Sequence, residues 1–333
     1  MSRSVLIITN DRRNLQNFRG HVIRKLQRDG VNVQTCCIGE NSQYEFKLRF
    51  PHQLFIHVLF NFLLCFKCLN TNRDHVVLVY SFPLCVFCAF ANVFVGHTNL
   101  HLFISGRGRL FNKFKFLNRL SFVFSLLPRM SKNLYVLNNL DYKFFSTKVK
   151  KPVKFFGEGL DCNEDDVNFS STRTYALGYV GRIERIKGIC SLNKLPNSYP
   201  LVIFGDGPDR DLIVESDNIS FHGYVDEKSD IYNRFDILVF PSLLYEGLPM
   251  VIVEAMYFGK PVVWNIKNRS LDNDVLTKVN SIGVDFSNDQ EVSEAIKQIN
   301  RNYDLFSLNA RKTISSDFYS DNVYARYRKF ILE

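Results

Sequence analysis

What this sequence lacks narrows its class first. No apolar run long enough to cross a bilayer is uninterrupted. The two most apolar segments, His52–Leu69 and His75–Val95, are broken by His57, Asn61 and Lys67 and by Ser81 and Pro83, so both read as buried elements. The opening MSRSVLIITNDRR has too short an apolar run for a secretory signal and reads as a first strand. No internal repeat or low-complexity stretch is present, and 46% apolar with 23% charged residues is a globular composition. Acidic residues are scarce at one end. Residues 1–150 hold 6 Asp and Glu against 21 Lys and Arg, whereas residues 151–333 hold 27 against 21, giving +15 and −6. The first half is therefore the one built to meet an anion, with nucleic acid and anionic membrane surface as the two candidate classes.

Eight cysteines without an export signal point to a reducing compartment and free thiols. Cys65–Cys68 and Cys85–Cys88 form two CxxC pairs, a spacing that zinc sites use. Their setting in FLLCFKCL and PLCVFCAF lacks the polar turns of a structural zinc site and makes them small core residues.

At 333 residues the chain exceeds what one core supports, and two domains are expected. Ser4–Thr9, a helical stripe over Asn14–Arg28 and Val31–Ile38 read as a βαβ opening, which implies a parallel sheet. His75–Tyr80, Leu100–Ile104, Leu134–Leu137 and Val153–Phe156 read as further strands, with Leu84–Val95 as a helix. Composition and charge sign change between Gly157 and Thr174, where the linker is placed. A second α/β run then follows: strands at Tyr175–Val180, Leu201–Phe204, Ile219–Phe221, Ile237–Phe240 and Pro261–Trp264, and helices at Gln290–Asn300 and about Asp317–Ile331.

The most informative stretch is YEGLPMVIVEAMYFGKPVV, Tyr245–Val263. Pro249 suits the first turn of a helix, which places the N–H groups of Gly247, Leu248 and Met250 at its positive end, ready for phosphate oxygens. Glu246 precedes that end, and Glu254 lies roughly 8 Å further along the axis. Carboxylates accept well from sugar hydroxyls, so two of them flanking a phosphate site suit a nucleotide sugar. Three other loops follow strands: Gly181–Gly188 with Arg182 and Lys187 able to share one anion, Gly205-Asp206-Gly207-Pro208, and His222-Gly223-Tyr224-Val225. In the first half, Gly106-Arg107-Gly108 forms a turn at a strand end. The helix expected after it carries Leu110, Phe111, Phe114 and Leu117 on one arc and Arg109, Lys113, Lys115 and Arg119 on the other. It reads either as a docked helix with a solvated basic back or as an interfacial helix on anionic lipid.

VGRIERIKG, VIFGDGP, FHGYV and FPSLLYEGLPMVIVEAMYFGKPVV resemble, in order and spacing, the retaining glycosyltransferase family 4 enzymes of the GT-B fold, over about residues 157–265. NFRGHVIRKLQRDGVNV, FISGRGRLF and LNNLDYKFF with GEGLD more loosely resemble transferases of bacterial surface polysaccharide assembly. The resemblance implies two Rossmann-like domains with parallel sheets facing a central cleft. The first is an acceptor-binding domain of residues 1–156 joined by a C-terminal helix of about 317–333, and the second a nucleotide-sugar-binding domain of residues 157–316. It implies that Arg182 and Lys187 hold the donor diphosphate and Glu246 the donor sugar, with Gly247, Leu248, Pro249 and Met250 beside it. Glu254 would hold the ribose, Tyr224 and Val225 would lie near the base, and Gly181, Gly205 and Gly207 would line the donor site. Arg19, Ser105, Gly106 and Arg107 would face the acceptor, and Arg109, Phe111, Lys113, Phe114 and Arg119 the membrane.

The chain departs from the family in three places. Ser105 stands where many relatives have the His of a His-Gly pair, Asn10–Asn14 replaces a glycine-rich loop, and NIKNRSLDND follows Trp264 in place of Gly-Gly and an acid. The expectation is a metal-independent transferase without cofactor that moves a hexosyl or N-acetylhexosaminyl group from a UDP- or GDP-linked donor. Its acceptor would be a glycan, on polyprenyl pyrophosphate in O-antigen, lipopolysaccharide or capsule synthesis. The protein would be cytoplasmic, held at the inner membrane face. A soluble acceptor, a nucleotide-sugar epimerase and a basic nucleic-acid-binding protein stay open as alternatives. The last leaves Glu246 and Glu254 without a role, so no nucleic-acid partner is expected.

Overall fold

The computed structural model describes residues 4–9, 12–37, 51–104, 126–136, 139–146, 153–155, 160, 172–214, 216–244, 249–268, 276–314 and 318–332. The chain divides into two compact units, Met1–Asp161 with Phe318–Glu333, and Cys162–Asp317.

Unit 1 contains the strands β1 Ser4–Thr9, β2 Asn32–Cys37, β3 Val76–Tyr80, β4 Leu100–Ile104, β5 Asn133–Val136 and β6 Val153–Phe155 in a parallel sheet of order β2-β1-β3-β4-β5-β6. Its helices are α1 Arg12–Arg28, α2 Pro51–Thr71, α3 Phe82–Val95, α4 Asn139–Ser146 and, from the chain end, α9 Ser320–Leu332. Strands β1, β3, β4 and β5 are buried almost throughout, as apolar runs inside a parallel sheet must be, while the edge strand β2 is exposed or half-buried along its length. One face packs Leu6, Ile8, Val77 and Val79 under α2 and α3 through Cys65, Leu69, Cys85 and Cys88. The opposite face packs Val5, Ile7, Leu78 and Tyr80 under α1 and α9 through Leu15, Val22, Leu26, Val323, Tyr327 and Ile331. The Tyr80 and Tyr327 hydroxyls meet at 2.5 Å, and Lys25 pairs with Asp321, which ties α9 to this unit. Of the CxxC cysteines, Cys65, Cys85 and Cys88 are interior packing and Cys68 is half-buried against the same core, and no group of three or more metal-ligating side chains occurs among the described residues. No described helix is long and apolar enough to cross a membrane.

Unit 2 is the second parallel sheet: β7 Leu177–Val180, β8 Leu201–Phe204, β9 Ile219–Gly223, β10 Ile237–Phe240, β11 Val262–Asn265 and β12 Ser281–Val284, in the order β12-β11-β10-β7-β8-β9. Its helices are α5 Lys228–Tyr232, α6 Met250–Tyr257, α7 Asp289–Arg301 and α8 Tyr303–Thr313. Strand β12 and helix α8 have no counterpart in the sequence reading. The strand is four residues with Gly283 inside it, and the helix buries only Phe306, Ser307 and Ala310, too few to make a stripe. The β7–β8 crossover is made of 3-10 turns, Arg185–Lys187 and Ile189–Lys194.

A buried ionic node pins the entry to β7. Asp236, 2% exposed, accepts from the Thr174 and Tyr175 N–H groups at 3.0 and 2.7 Å. It faces Lys260 Nζ at 4.0 Å and Arg173 Nε at 3.7 Å. Burial pushes the Lys260 ammonium below the usual lysine range, so its charge depends on that carboxylate. Removing one partner of a buried pair strands the other. Asp236→Ala is therefore expected to destabilise unit 2 by about 3–5 kcal/mol in urea unfolding. A loss under about 1 kcal/mol, the range of exposed pairs, would show that the node carries no structural load.

Candidate functional site

Strand order decides where a ligand can sit in unit 2. From β7 the chain proceeds outward to β8 and β9, then returns to β10 on the other side of β7 and proceeds outward again to β11 and β12. The loops leaving β7 and β10 therefore diverge at their carboxyl ends, and a crevice at such a switch point is where open α/β sheets hold ligands. The four loops singled out in the sequence all leave this edge.

The loop after β7 is the hub. Gly181 donates to the Phe204 carbonyl at 3.0 Å and Ile183 to the Asp206 carbonyl at 3.0 Å. A Cβ on Gly205 would lie 2.0 Å from the Gly181 carbonyl oxygen, and one on Gly207 2.2 Å from that of Ile183. The partner these glycines approach is thus the neighbouring loop. Gly205 also donates to the Gly223 carbonyl at 2.6 Å, which brings in the loop with Tyr224 and Val225. On the other flank, Leu243 donates to the Ile186 carbonyl at 3.3 Å. There Gly188, at φ +77°, would place a Cβ 2.2 Å from the Pro241 carbonyl oxygen. All four loops are hydrogen-bonded into one rim.

On that rim Arg182 is exposed, its Nη2 2.6 Å from Glu184 Oε1, while its carbonyl accepts from the Tyr179 hydroxyl at 2.8 Å. Lys187 closes the first 3-10 turn, its N–H donating to the Glu184 carbonyl at 2.8 Å. Tyr224 is 65% exposed, an aromatic face open to solvent at a strand end. Helix α6 starts at Met250 with Pro249 as its buried N-cap, one residue later than the sequence reading. Glu254 on α6 accepts from the Tyr232 hydroxyl at 2.7 Å through Oε2 and meets Lys228 Nζ at 2.9 Å through Oε1. Burial, with the Glu254 charge beside it, pushes the Tyr232 phenol well above its usual range, so it stays a donor. Glu246, Gly247 and Leu248 lie outside the described residues.

Residues 174–302 match the family Glycosyl transferases group 1. The matched residues include β7 and all four loops of the rim. A curated relative is EpsF of Bacillus subtilis (strain 168), whose name describes it as a glycosyltransferase. It is 34% identical over 101 residues, and the alignment covers 26% of this chain and 26% of EpsF. Among solved structures, HepE of Anabaena in complex with UDP and glucose has a TM-score of 0.70 at 16% identity over 98% of both chains. Sucrose-phosphate synthase of Thermosynechococcus elongatus has a TM-score of 0.73 at 15% identity, again over 98% of both. These likenesses carry the fold, which is GT-B.

The sequence reading missed the side chains that hold this rim in place. Asn265 Nδ2 donates to the Pro241 carbonyl at 3.1 Å, and Asn268 Nδ2, on a residue 2% exposed, to those of Ser242 and Leu244 at 2.9 Å each. The two asparagines stand in NIKN, where the family pattern has glycines, and they fix the loop that leads to Glu246. Two Asn residues at and just past a strand end were the available signal. In unit 1, Arg19 is 3% exposed with its guanidinium 3.8 Å above the Tyr80 ring, an interior position for a residue expected on the acceptor side. Ser81, which ends β3 at the switch point of the first sheet, holds φ +81°, a conformation that costs of order 1–3 kcal/mol. Ser105, Gly106, Arg107, Arg109, Phe111, Lys113, Phe114 and Arg119 lie outside the described residues.

Asn268→Ala leaves two carbonyls of a buried loop without their donor. It is expected to cost about 1–3 kcal/mol and to make the chain near Ser242–Leu244 more sensitive to limited proteolysis. Wild-type stability and an unchanged cleavage pattern would remove Asn268 from this role.

Proposed function

We propose that this protein is a retaining glycosyltransferase that moves a hexosyl or N-acetylhexosaminyl group from a UDP- or GDP-linked donor to a glycan acceptor without a metal ion. The observation that carries the reading is the single rim formed at the β7/β10 switch point by the loops with Arg182 and Lys187, with the two glycines, with Tyr224, and the one leading to Glu246 and α6. HepE, solved with UDP and with UDP-glucose, shares the fold and supports the choice of donor class.

Each group then has a task. Arg182 and Lys187 take the diphosphate, Arg182 exchanging Glu184 for phosphate oxygens, and stabilise charge as the nucleotide leaves. Two cations next to the leaving group do the work a divalent metal does elsewhere. The N–H groups of Gly247, Leu248 and Met250 at the start of α6 receive phosphate or sugar oxygens. Glu246 orients the donor sugar. A carboxylate has about four acceptor positions. Glu254 spends two on Tyr232 and Lys228 and turns the others to the ribose hydroxyls, while Tyr224 and Val225 cover the base.

For the acceptor, a lipid-linked oligosaccharide of surface polysaccharide synthesis at the inner membrane face is favoured by a feature of unit 1. Helix α3 contains no charged residue and α2 only Lys67. Yet their outer faces expose Phe60 at 58%, Leu63 at 53%, Val93 at 61% and Phe94 at 74%. The Phe62 and Phe94 rings, 6.3 Å apart, join the two helices. Exposed Lys67, one turn beyond Leu63 on α2, accompanies this face on a half-chain of net charge +15. An apolar face with a basic neighbour fits an anionic bilayer.

Lys187→Ala and Glu246→Ala are each expected to lower transfer from a nucleotide sugar by at least about a hundredfold, the size of one lost transition-state contact, with folding intact by circular dichroism. Near-normal turnover in either would remove the site. Added chelator should leave the rate unchanged, and strict metal dependence would contradict the two-cation reading. Phe60→Ser with Phe94→Asp should release the protein from phosphatidylglycerol vesicles in a sedimentation assay. Unchanged sedimentation would mean that this face does not hold the membrane.

A further inference from the structure

Five of the seven cysteines described for this chain gather on one side of the first sheet, and they are not alike. Cys65, Cys85 and Cys88 are wholly buried, whereas Cys36 and Cys68 are each only partly buried and their sulfurs stand 3.7 Å apart. Cys36 lies on β2, the edge strand, and Cys68 on α2, so the contact joins a sheet edge to the helix that covers it. Cys37, the next residue, points to the other face of the sheet by strand alternation and packs with the α1 side of the core.

We propose that Cys36 and Cys68 form a redox pair that closes to a disulfide on reaction with a hydroperoxide. Cys68 is the attacking thiolate and Cys36 the resolving thiol. Closure needs the sulfurs to approach by roughly 1.6 Å, from 3.7 Å to the bonded distance, which side-chain rotation can supply. The pair is polarised. A hydrogen bond from Cys36 lowers the Cys68 thiol to about 7 against the pull of burial, and Lys67 next to it adds in the same direction. The same hydrogen bond and burial push the Cys36 thiol up. One sulfur is thus ionised near neutral pH while its neighbour keeps its proton.

In the first step the Cys68 thiolate attacks the terminal peroxide oxygen. An S–O bond forms, the O–O bond breaks, and the leaving alkoxide takes a proton from solvent as an alcohol, or as water from hydrogen peroxide. Cys36 then loses its proton and attacks the Cys68 sulfenic sulfur, and hydroxide departs as water. The two thiols are oxidised by two electrons and the peroxide is reduced by two. The bond closes a loop that includes most of α2 and so constrains the helix bearing Phe60 and Leu63 on its outer face. This inference does not rest on the glycosyl-transfer reading, and its readouts are independent of activity.

The test treats the full chain with hydrogen peroxide, blocks remaining thiols with iodoacetamide and maps peptides without reduction. The expected result is a cross-linked peptide containing Cys36 and Cys68, retained in Cys37→Ser and lost in Cys36→Ser. In Cys36→Ser, Cys68 should instead be trapped as a sulfenic acid by dimedone. Alkylation of Cys68 near pH 7 should slow about tenfold in Cys36→Ala, which, unlike Cys36→Ser, removes the hydrogen-bond donor and returns the thiol towards its ordinary range. The proposal is overturned if no cross-link forms in the wild type, if the cross-link uses Cys37, or if Cys68 alkylates at the same rate with and without Cys36.

Discussion

The chain enters the second sheet at its centre, and that one constraint sets up the rest of the site. Because β7 lies between β8 and β10, the loops that leave it and its neighbours share one edge and divide at the switch point. The backbone contact between them is close enough to exclude any side chain at Gly205, Gly207 and Gly188. Glycine at these positions is a requirement of loop-on-loop packing, and the proposed ligand surface is what the packed loops then present: Arg182, Lys187 and Tyr224.

The charges of the site are held in check before any ligand arrives. Arg182 is paired with Glu184, and Glu254 with Lys228 and Tyr232. In the proposed function an incoming diphosphate with two sugars replaces the first pairing and adds to the second, so the resting contacts set orientation without requiring the site to carry naked charge. In the Arg182–Glu184 pair the arginine is exposed and the glutamate half-buried, so the guanidinium is the partner open to exchange. The buried Asp236–Lys260 node at the start of β7 is of the opposite kind and serves the scaffold.

Much of this was legible in the residues. Short β-branched runs such as SVLIIT and LVIF located strands, because parallel strands buried on both faces read as continuous apolar stretches. Pro249 located the start of α6. What the residues hid was of two sorts. Elements with few buried side chains, β12 and α8, lack a periodic signal. Tertiary roles, such as Asn265 and Asn268 reaching back to Pro241, Ser242 and Leu244, or Arg19 stacking on Tyr80 in the interior, depend on which strands become neighbours, and no local pattern encodes that. The close approach of Gly205 and Gly207 to the adjacent loop is likewise a tertiary fact with no local signal.

The central claim is that the rim at the β7/β10 switch point binds a nucleotide sugar through Arg182 and Lys187. Heat unfolding of the protein against a set of UDP- and GDP-linked sugars tests it most directly, since a ligand at 100 times its Kd stabilises the native state by about 2.7 kcal/mol. The account predicts that at least one donor raises the Tm of the wild type and fails to do so in Arg182→Ala with Lys187→Ala. No shift with any nucleotide sugar, or an equal shift in the double variant, would contradict it.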